Sequence, residues 1–276
     1  MKRKFSASRF VIILVLAVGG LSMLIPFVWM ILCSFKPAVE LLKMPPTILP
    51  KKGLWMGNYK GVLELIPFGR YILNSIGLGV VNTAVGILTS TLSGYIFAKY
   101  NFRFRNVLFI LLLGSMMIPF QVIMIPMYSM MVDLGWVNSY FALTVPYFYS
   151  IFGIFLMRQF IVKLPNELME AAKMDGCSHS GTFFRIIMPL VSSAIAALTI
   201  FLFMMSWNDY LWPLIVIDSD AYRTIPLGLA AFVLQRSMKY DLLMAASVMA
   251  VLPILVVFLF AQKRFIDGIA LTGLKS

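Results

Sequence analysis

Long apolar segments alternate with short polar ones along almost the whole chain. Six segments consist mainly of Leu, Ile, Val, Phe, Met, Ala and Gly. Because a helix needs ~20 apolar residues to cross ~30 Å of hydrocarbon, each segment predicts a membrane-spanning helix. The segments cover approximately residues 11–33, 72–97, 107–131, 140–161, 189–217 and 241–261. They predict an all-α bundle of six transmembrane helices, and the short loops between them leave residues 1–276 as a single domain.

The composition strengthens this prediction. Hydrophobic residues make up 61% of the chain, charged residues only 12%, and the mean hydropathy is +0.92. These values lie far outside the range of soluble globular domains. The first apolar segment is too long for a signal-peptide core and lacks a small-residue cleavage site, so we expect a retained helix.

The charges predict the orientation of the chain. Lys2, Arg3, Lys4 and Arg9 precede the first segment with no acidic residue among them, which places the N-terminus in the cytoplasm by the positive-inside rule. Six spans return the C-terminus to the same side. The outer loop 36–70 is also basic, although the rule is weaker in long loops. The net charge of +12 is scattered over several loops, which suits anionic lipid headgroups and argues against nucleic acid as a partner.

The motifs of common enzymes are absent from the sequence. It has no phosphate-binding GxxxxGK[ST] loop, no nucleophile elbow and no cluster of His and Cys, so we expect neither catalysis nor a bound metal. The single His179 is expected to be a loop residue, and Cys33 and Cys177 are expected on opposite membrane faces, too far apart to pair. The spans are almost free of charge apart from Asp209, near the outer end of the fifth. A gradient-driven carrier usually holds ionisable groups at mid-membrane depth, so energy from a partner is favoured.

The stretch "LPNELMEAAKMDG", residues 164–176, is unusually polar for such a chain. Pro165 can start a helix and Asn166 can cap it, while Glu167 suits the positive end of the helix dipole. The Asp-Gly pair at 175–176 is a strong stop signal. The sequence predicts a helix of about two turns, too short to be stable without contacts.

A second short helix is expected directly afterwards. Ser178 or Ser180 can cap it, and the amphipathic run "TFFRIIMP" ends it at Pro189. Ala171 and Ala172 in the first helix are small enough to let another surface approach. The two helices predict an elbow at the inner membrane face. A solvated cytoplasmic loop is the alternative.

The elbow sequence "EAAKMDGCSHSGTFFRIIMP" resembles the EAA loop of membrane permease subunits in ATP-binding-cassette importers. Met188 is the one departure, where that family usually has leucine. The resemblance implies that the cytoplasmic loop 163–188, between helices 4 and 5, forms coupling helices that dock on an ATPase, with the carboxylate of Glu170 available for an ion pair. The coupling residues implied by the resemblance are Glu170, Ala171, Ala172, Asp175, Gly176, Ile186 and Pro189.

Further segments, including "PFVWMILCSFK", "SWNDYLWPLIV" and the C-terminal "MAASVMAVLPILVVFLFAQKRFIDGIALTGLKS", resemble the smaller, second permease of carbohydrate importers. The resemblance implies a second permease subunit, two cytoplasmic ATP-binding subunits and an extracytoplasmic solute-binding protein as partners. ATP would then be hydrolysed by the partners, with no cofactor on this chain, in the cytoplasmic membrane of a bacterium or archaeon. The sugar is left open, as are a gradient-driven carrier and a permease for a non-sugar solute.

Two of the apolar segments contain features that could belong to a translocation pathway. The second segment has a stripe of small and weakly polar residues around Asn82, which favours tight helix packing over pore lining. In the third segment Pro119 and Pro126 predict a break near Gln121, which suits either alternating access or an ordinary proline-bent helix.

The segment "WNDYLWP", residues 207–213, combines aromatic rings with hydrogen-bonding groups. Asn208 and Asp209 could bind sugar hydroxyls. Alternatively, Trp207, Tyr210 and Trp212 could form an interfacial aromatic belt, which we favour for the tryptophans. The possible pathway residues are therefore Asn82, Gln121, Asn208 and Asp209.

Overall fold

A computed structural model describes residues 7–51, 53–234 and 239–273, and within these ranges the regular secondary structure is entirely helical. The first seven helices are α1 (Ala7–Ser34), α2 (Ala38–Leu41), α3 (Gly57–Leu65), α4 (Phe68–Lys99), α5 (Arg105–Ser115), α6 (Phe120–Asp133) and α7 (Tyr140–Thr144). A 3₁₀ turn (Val145–Tyr147) leads to α8 (Ile151–Ile161), α9 (Glu167–Met174) and α10 (His179–Thr182). A π-helical turn (Phe183–Ile187) precedes α11 (Met188–Leu190), α12 (Ser192–Trp207), α13 (Leu211–Val216), α14 (Ile225–Leu234) and α15 (Tyr240–Gly273).

The chain divides into two compact units. One comprises Met1–Phe68 with Gly228–Leu252, and the other Gly69–Leu227 with Pro253–Ser276. The basic residues Lys2, Arg3 and Lys4 lie outside the described residues. The single transmembrane domain expected from the sequence stays a prediction.

Five segments of the described chain are long and apolar enough to cross a membrane. They are Phe10–Ser34, Phe68–Lys99, Tyr140–Ile161, Ser192–Val216 and Tyr240–Leu259. A sixth span results if α5 and α6 count as one, although these two helices meet at 97°. The all-helical membrane protein predicted from the apolar pattern is confirmed, with five to six spans.

The break in the third predicted span lies where its first proline stands. Pro119 has an extended backbone (ψ 139°) and precedes α6. Because proline has no N–H and clashes with the preceding turn, α5 cannot continue through it. Gln121 is the second residue of α6, so the break predicted near it is confirmed, and its side chain is exposed. The second proline, Pro126, lies inside α6.

The segment after α1, which the sequence predicted to be an outer loop, has a defined fold of its own. Lys36 is 2% exposed, donates a hydrogen bond to the carbonyl oxygen of Thr47, and lies 4.7 Å from the ring centroid of Trp29. The Asn58 amide donates to the carbonyl oxygens of Ser34 and Lys36 at 2.8 Å each. These bonds explain part of the basic character of the loop, because Lys36 has a structural role there.

Glu40 holds the same loop from its other side. Its Oε1 accepts hydrogen bonds from the Lys51 backbone N–H and from the Thr47 hydroxyl, both at 2.9 Å. The Lys51 N–H bond stabilises the ionised form, so the pKa of Glu40 lies below its ordinary value despite the opposing effect of burial.

The small residues of α4 allow close helix packing, as predicted. A Cβ added at Gly79 would lie 2.7 Å from the ring of Phe203, and one at Gly94 would lie 2.8 Å from the backbone nitrogen of Arg158 and 2.9 Å from Cβ of Met157. Such distances are too short for a real Cβ contact. Glycine at these positions therefore lets α4 approach α12 and α8.

The aromatic-belt interpretation is wrong for both tryptophans. Trp207 is 2% exposed and stacks on Phe203 at 5.4 Å, and Trp212 is 1% exposed and donates its indole N–H to the Ala142 carbonyl oxygen at 2.8 Å. Their large apolar rings gain more by filling the helical core, once the indole N–H of Trp212 finds a partner there. Tyr210 is 38% exposed and remains compatible with a belt.

Candidate coupling loop and translocation cavity

The first predicted loop helix is present as α9 (Glu167–Met174), but Asn166 does not cap it. The backbone of Asn166 is helical (φ −72°, ψ −25°), so its side chain does not accept from the free N–H groups of the first turn. Its Oδ1 instead accepts a hydrogen bond from Nζ of Lys99 at 2.8 Å. The side chain joins the loop to the end of α4.

The predicted stop of this helix is confirmed. Gly176 has φ +74°, the left-handed conformation that costs a side-chain-bearing residue about 1 kcal/mol or more. Its N–H bonds the Lys173 carbonyl at 3.1 Å, and the Cys177 N–H bonds that of Ala172 at 2.9 Å. No atom lies within 4 Å of a Cβ added at Gly176, so the turn, and not crowding within this chain, requires glycine.

The two alanines of α9 lie on different faces of the helix. Ala172 is 2% exposed and buried, so its small size serves packing within the chain. Glu170 and Ala171 are exposed, and Met174 is 88% exposed. An approaching surface would therefore meet Glu170, Ala171 and Met174, and would not meet Ala172.

The second loop helix is capped by one of the two serines proposed. The Ser178 hydroxyl accepts from the Gly181 N–H at 3.1 Å. The following π-helical turn buries Phe183 (2% exposed) and Ile187 (0%) while Phe184 stays 56% exposed, as an amphipathic run requires. Of the remaining coupling candidates, Asp175 and Pro189 are exposed and Ile186 is half-buried.

The C-terminal end of α4 holds this loop in place. The ammonium group of Lys99 donates to the Leu164 carbonyl oxygen as well as to Asn166. The two loop acceptors follow 65 and 67 residues later in the sequence, and sequence analysis did not find them. In the sequence, the only sign of this contact is the basic Lys99 followed by the aromatic Tyr100 at the end of the second span.

Two tyrosines at the same end of α4 extend the contact to both loop helices. The Tyr95 hydroxyl donates to the sulfur of Met169 in α9 at 3.4 Å. The Tyr100 hydroxyl is hydrogen-bonded to Nδ1 of His179 in α10 at 2.8 Å. His179, expected to be a loop residue, thus belongs to the contact between the loop and α4.

A cavity of about 520 Å³ lies within the second unit. Its wall is mainly apolar and aromatic, and its lining includes Asn82, Tyr147, Tyr149, Ser150, Met205 and Asp209. Two of the four pathway candidates, Asn82 and Asp209, therefore line the same space. Gln121 and Asn208 do not belong to its lining, and the Asn208 amide instead donates to the Met204 carbonyl at 2.9 Å, at the end of α12.

The polar groups of the cavity wall are fixed by hydrogen bonds. Tyr147 donates its hydroxyl to Oδ2 of Asp209, which lies in the break between α12 and α13. The amide of Asn82 donates to the Leu143 carbonyl at 3.0 Å and to the Ser206 hydroxyl at 3.1 Å. The buried Oδ1 of Asn82 has no partner among the described residues, which is costly unless a conformational change or a solute supplies a donor.

Comparison with known proteins identifies the family. Residues 86–270 match the family described as "Binding-protein-dependent transport system inner membrane component". The chain belongs to this family. It is a multi-pass inner-membrane permease and not an enzyme, because the members of the family are transport permeases.

The relatives of this permease match over most of their length. It is 37% identical over 252 residues to the arabinooligosaccharides transport system permease protein AraQ of Halalkalibacterium halodurans, which covers 91% of this chain and 90% of that protein. It is 32% identical to the lactose transport system permease protein LacG of Rhizobium radiobacter, over 92% of each chain. The sn-glycerol-3-phosphate transport system permease protein UgpE of Pectobacterium atrosepticum is also 32% identical, over 92% of this chain and 93% of that protein.

Solved structures share the fold of the permease. A chain of a bacterial ABC transporter that imports the acidic polysaccharide alginate superposes with a TM-score of 0.83, at 22% identity, over 95% of this chain and 99% of that one. A second structure, an alginate ABC transporter in complex with an alginate pentasaccharide-bound periplasmic protein, gives 0.63 at 15% identity, over 92% and 93%. The helical architecture is therefore the membrane-embedded permease fold of ABC importers.

Proposed function

We propose that the permease is one subunit of an ATP-driven carbohydrate importer and forms half of its translocation pathway. Family membership carries the proposal, and the relatives named for arabinooligosaccharide and lactose transport support the substrate class. Its partners would be a second permease subunit, two cytoplasmic ATP-binding subunits that hydrolyse the ATP, and an extracytoplasmic solute-binding protein. The host is a bacterium or an archaeon.

The proposed topology places both termini and the loop 163–188 in the cytoplasm. The basic residues that precede α1 support this orientation, as does Lys99 at the end of α4. In this orientation α9 and α10 face the ATP-binding subunits.

The exposed side of α9 is the proposed docking surface for an ATP-binding subunit. The small side chain of Ala171 lies at the centre of this surface and Glu170 supplies a negative charge. Met174 adds an apolar side chain that is 88% exposed. A flexible Met beside a carboxylate suits a surface that must grip a moving partner. Ala172 is buried on another face of α9, where it packs within the chain.

Movement of the docked loop would reach the pathway through α4. Lys99 and Tyr100 hold the loop at one end of this helix, and Asn82 lies in the cavity wall further along it. We assign the cavity to the substrate pathway, with Asn82 and Asp209 as its polar groups. Gln121 and Asn208 lie outside the cavity and have no role in this proposal.

Two substitutions that change the charge of the loop test the coupling role. Glu170→Lys and Gly176→Asp should each weaken binding of the ATP-binding subunit and reduce ATP-driven uptake, with membrane insertion unchanged. Glu64→Lys is the matched control, since Glu64 is an exposed carboxylate of the outer loop whose side chain is 67% exposed. Normal uptake by either loop variant would refute the coupling role.

Reconstitution tests the importer itself. The purified permease should bring an ATP-binding subunit and a second permease with it. Uptake into vesicles that contain this chain alone, driven by a proton or sodium gradient, would instead establish a gradient-driven carrier.

A non-sugar solute is the second candidate substrate. The relative named for sn-glycerol-3-phosphate transport favours it, since it matches this chain as extensively as the lactose permease does. The two substrate classes differ in charge.

A further inference from the structure

The charge and hydrogen-bonding character of the cavity wall carry information about the solute. We propose that the cavity admits uncharged polyhydroxyl solutes and rejects anionic ones, and that Asp209 sets this selection. The inference rests on the proposed function, because it assumes that the cavity belongs to the transport pathway.

The charge of the wall comes from one side chain. Among the described residues that line the cavity there is no Lys, Arg or His, and Asp209 is the only carboxylate. Asp209 is half-buried in a mainly apolar wall, where the field of an ionised group is screened less than in water. A phosphate or carboxylate on the solute would be repelled by this group and would meet no cation among the described residues of the wall.

The hydrogen bonds within the wall leave acceptors facing the solute. A carboxylate can only accept hydrogen bonds, and Asp209 already accepts one from the Tyr147 hydroxyl. Because that hydroxyl uses its only proton in this bond, its oxygen is left as an acceptor. Ser150 also accepts, from the Gly153 N–H at 3.0 Å. Both amide hydrogens of Asn82 are used within the chain, and its unpartnered Oδ1 is buried, so this acceptor would meet a solute only after the wall rearranges.

These acceptors complement the donors of a sugar. Each sugar hydroxyl supplies an O–H donor, whereas an ionised phosphate or carboxylate supplies only acceptors. An anion would therefore be disfavoured by its charge, since the hydroxyls of Tyr149 and Ser150 in the wall can donate to either class of solute. The exposed ring of Tyr149 and other apolar side chains offer contact to the C–H faces of a neutral sugar.

The charge of the cavity can be measured without a transported solute. The assembled importer would be prepared with Cys33→Ala, Cys177→Ser and Met205→Cys, since Met205 lines the cavity and is 52% exposed. The rates of reaction of the introduced thiol with the cationic trimethylammonium-ethyl and the anionic sulfonato-ethyl methanethiosulfonate give a cation-to-anion ratio. Adding Asp209→Asn should lower this ratio roughly tenfold, as expected for one nearby charge in a partly buried site.

Tyr147→Phe is the matched control, because it removes the hydrogen bond to Asp209 but keeps the charge. Its ratio should stay close to that of the unmodified cavity. An unchanged ratio in Asp209→Asn would overturn the proposal, as would a fall in Tyr147→Phe equal to that in Asp209→Asn.

Uptake provides a second and independent test. Proteoliposomes with the assembled importer would be given arabinotriose, lactose, sn-glycerol-3-phosphate and an alginate trisaccharide in turn. ATP-driven uptake of either anion by the unmodified importer would overturn the inference and leave the permease function intact. An assembly that recruits no ATP-binding subunit would refute the proposed function itself, whatever the labelling ratio.

Discussion

Replacing Gly94 by Ala should destabilise the permease where α4 touches α8. The added Cβ would lie 2.8 Å from the backbone nitrogen of Arg158 and 2.9 Å from Cβ of Met157. These atoms belong to the helix itself and cannot rotate away, so the helices must separate. Gly77→Ala in the same helix is the matched control, because no atom lies within 4 Å of a Cβ added there.

The expected difference follows from two opposing contributions. Alanine is favoured over glycine inside a helix by about 1 kcal/mol, and both variants gain this amount. Overpacking against backbone costs about 1–3 kcal/mol, and only Gly94→Ala has this cost. Gly94→Ala should therefore be less stable than Gly77→Ala by about 1–3 kcal/mol in the free energy of unfolding.

Reversible unfolding of the purified permease in mixed micelles would measure this difference, and ATP-driven uptake by the assembled importer would show its functional effect. Gly94 lies between one and two turns before Lys99, so separation of the helices at this level should also displace the loop 163–188 and, if that loop docks on the ATP-binding subunit as proposed, lower uptake. Equal stability of the two variants would show that α4 and α8 do not pack as closely as described.

Three further variants test other contacts. Lys99→Met removes the hydrogen bond to the loop 163–188 and should reduce solute-stimulated ATP hydrolysis by the assembled importer several-fold. Lys163→Met, at an exposed lysine of the same loop, is the control and should leave the rate unchanged. Equal rates in the two variants would contradict the anchoring role of Lys99. Trp212→Phe leaves the buried carbonyl of Ala142 without its donor and should cost about 1–3 kcal/mol in the unfolding assay, so unchanged stability would count against the bond. The pKa of Glu40 is lower in the folded protein than its ordinary value of 4.5, so the ionised carboxylate stabilises the loop at pH values above 4.5. This contribution is lost as the pH falls through the lower folded-state pKa. The protection of the loop amides, measured as the intrinsic exchange rate at each pH divided by the observed rate, should therefore fall on acidification. Glu40→Gln should abolish this change in protection, and a change that persists in the variant would refute the assignment.

The apolar pattern was sufficient to predict the membrane helices, because every span needs a long apolar segment whose backbone hydrogen bonds are made within the helix. Length and composition predicted six spans, where the described residues contain five to six candidates, and the missing N–H of Pro119 explains the position of the break. The outer loop is different, since α2 and α3 depend on contacts of Lys36 and Asn58 with distant carbonyl groups. α14 (Ile225–Leu234), which lies between the fifth and sixth predicted spans, was also not predicted.

The candidate site was predictable where local chemistry decides the conformation. Gly176 follows from the turn that it makes and Ser178 from the cap that it provides. The partners of Lys99 and His179 could not be found in this way, because they come from segments more than 60 residues apart. Trp212 was misplaced since an aromatic residue near a span end suits both the membrane interface and a buried core.

Helix α4 should resist bending more than the other two long helices, α1 and α15. Of the three longest helices, α1 contains Pro26 and α15 contains Pro253, whereas no proline interrupts the 32 residues of α4. Between Lys99 and Asn82 it advances about 25 Å with every backbone hydrogen bond available. A proline-free helix of this length is stiff, so a small tilt at its Lys99 end would become a displacement of the cavity wall and would not be lost as a bend.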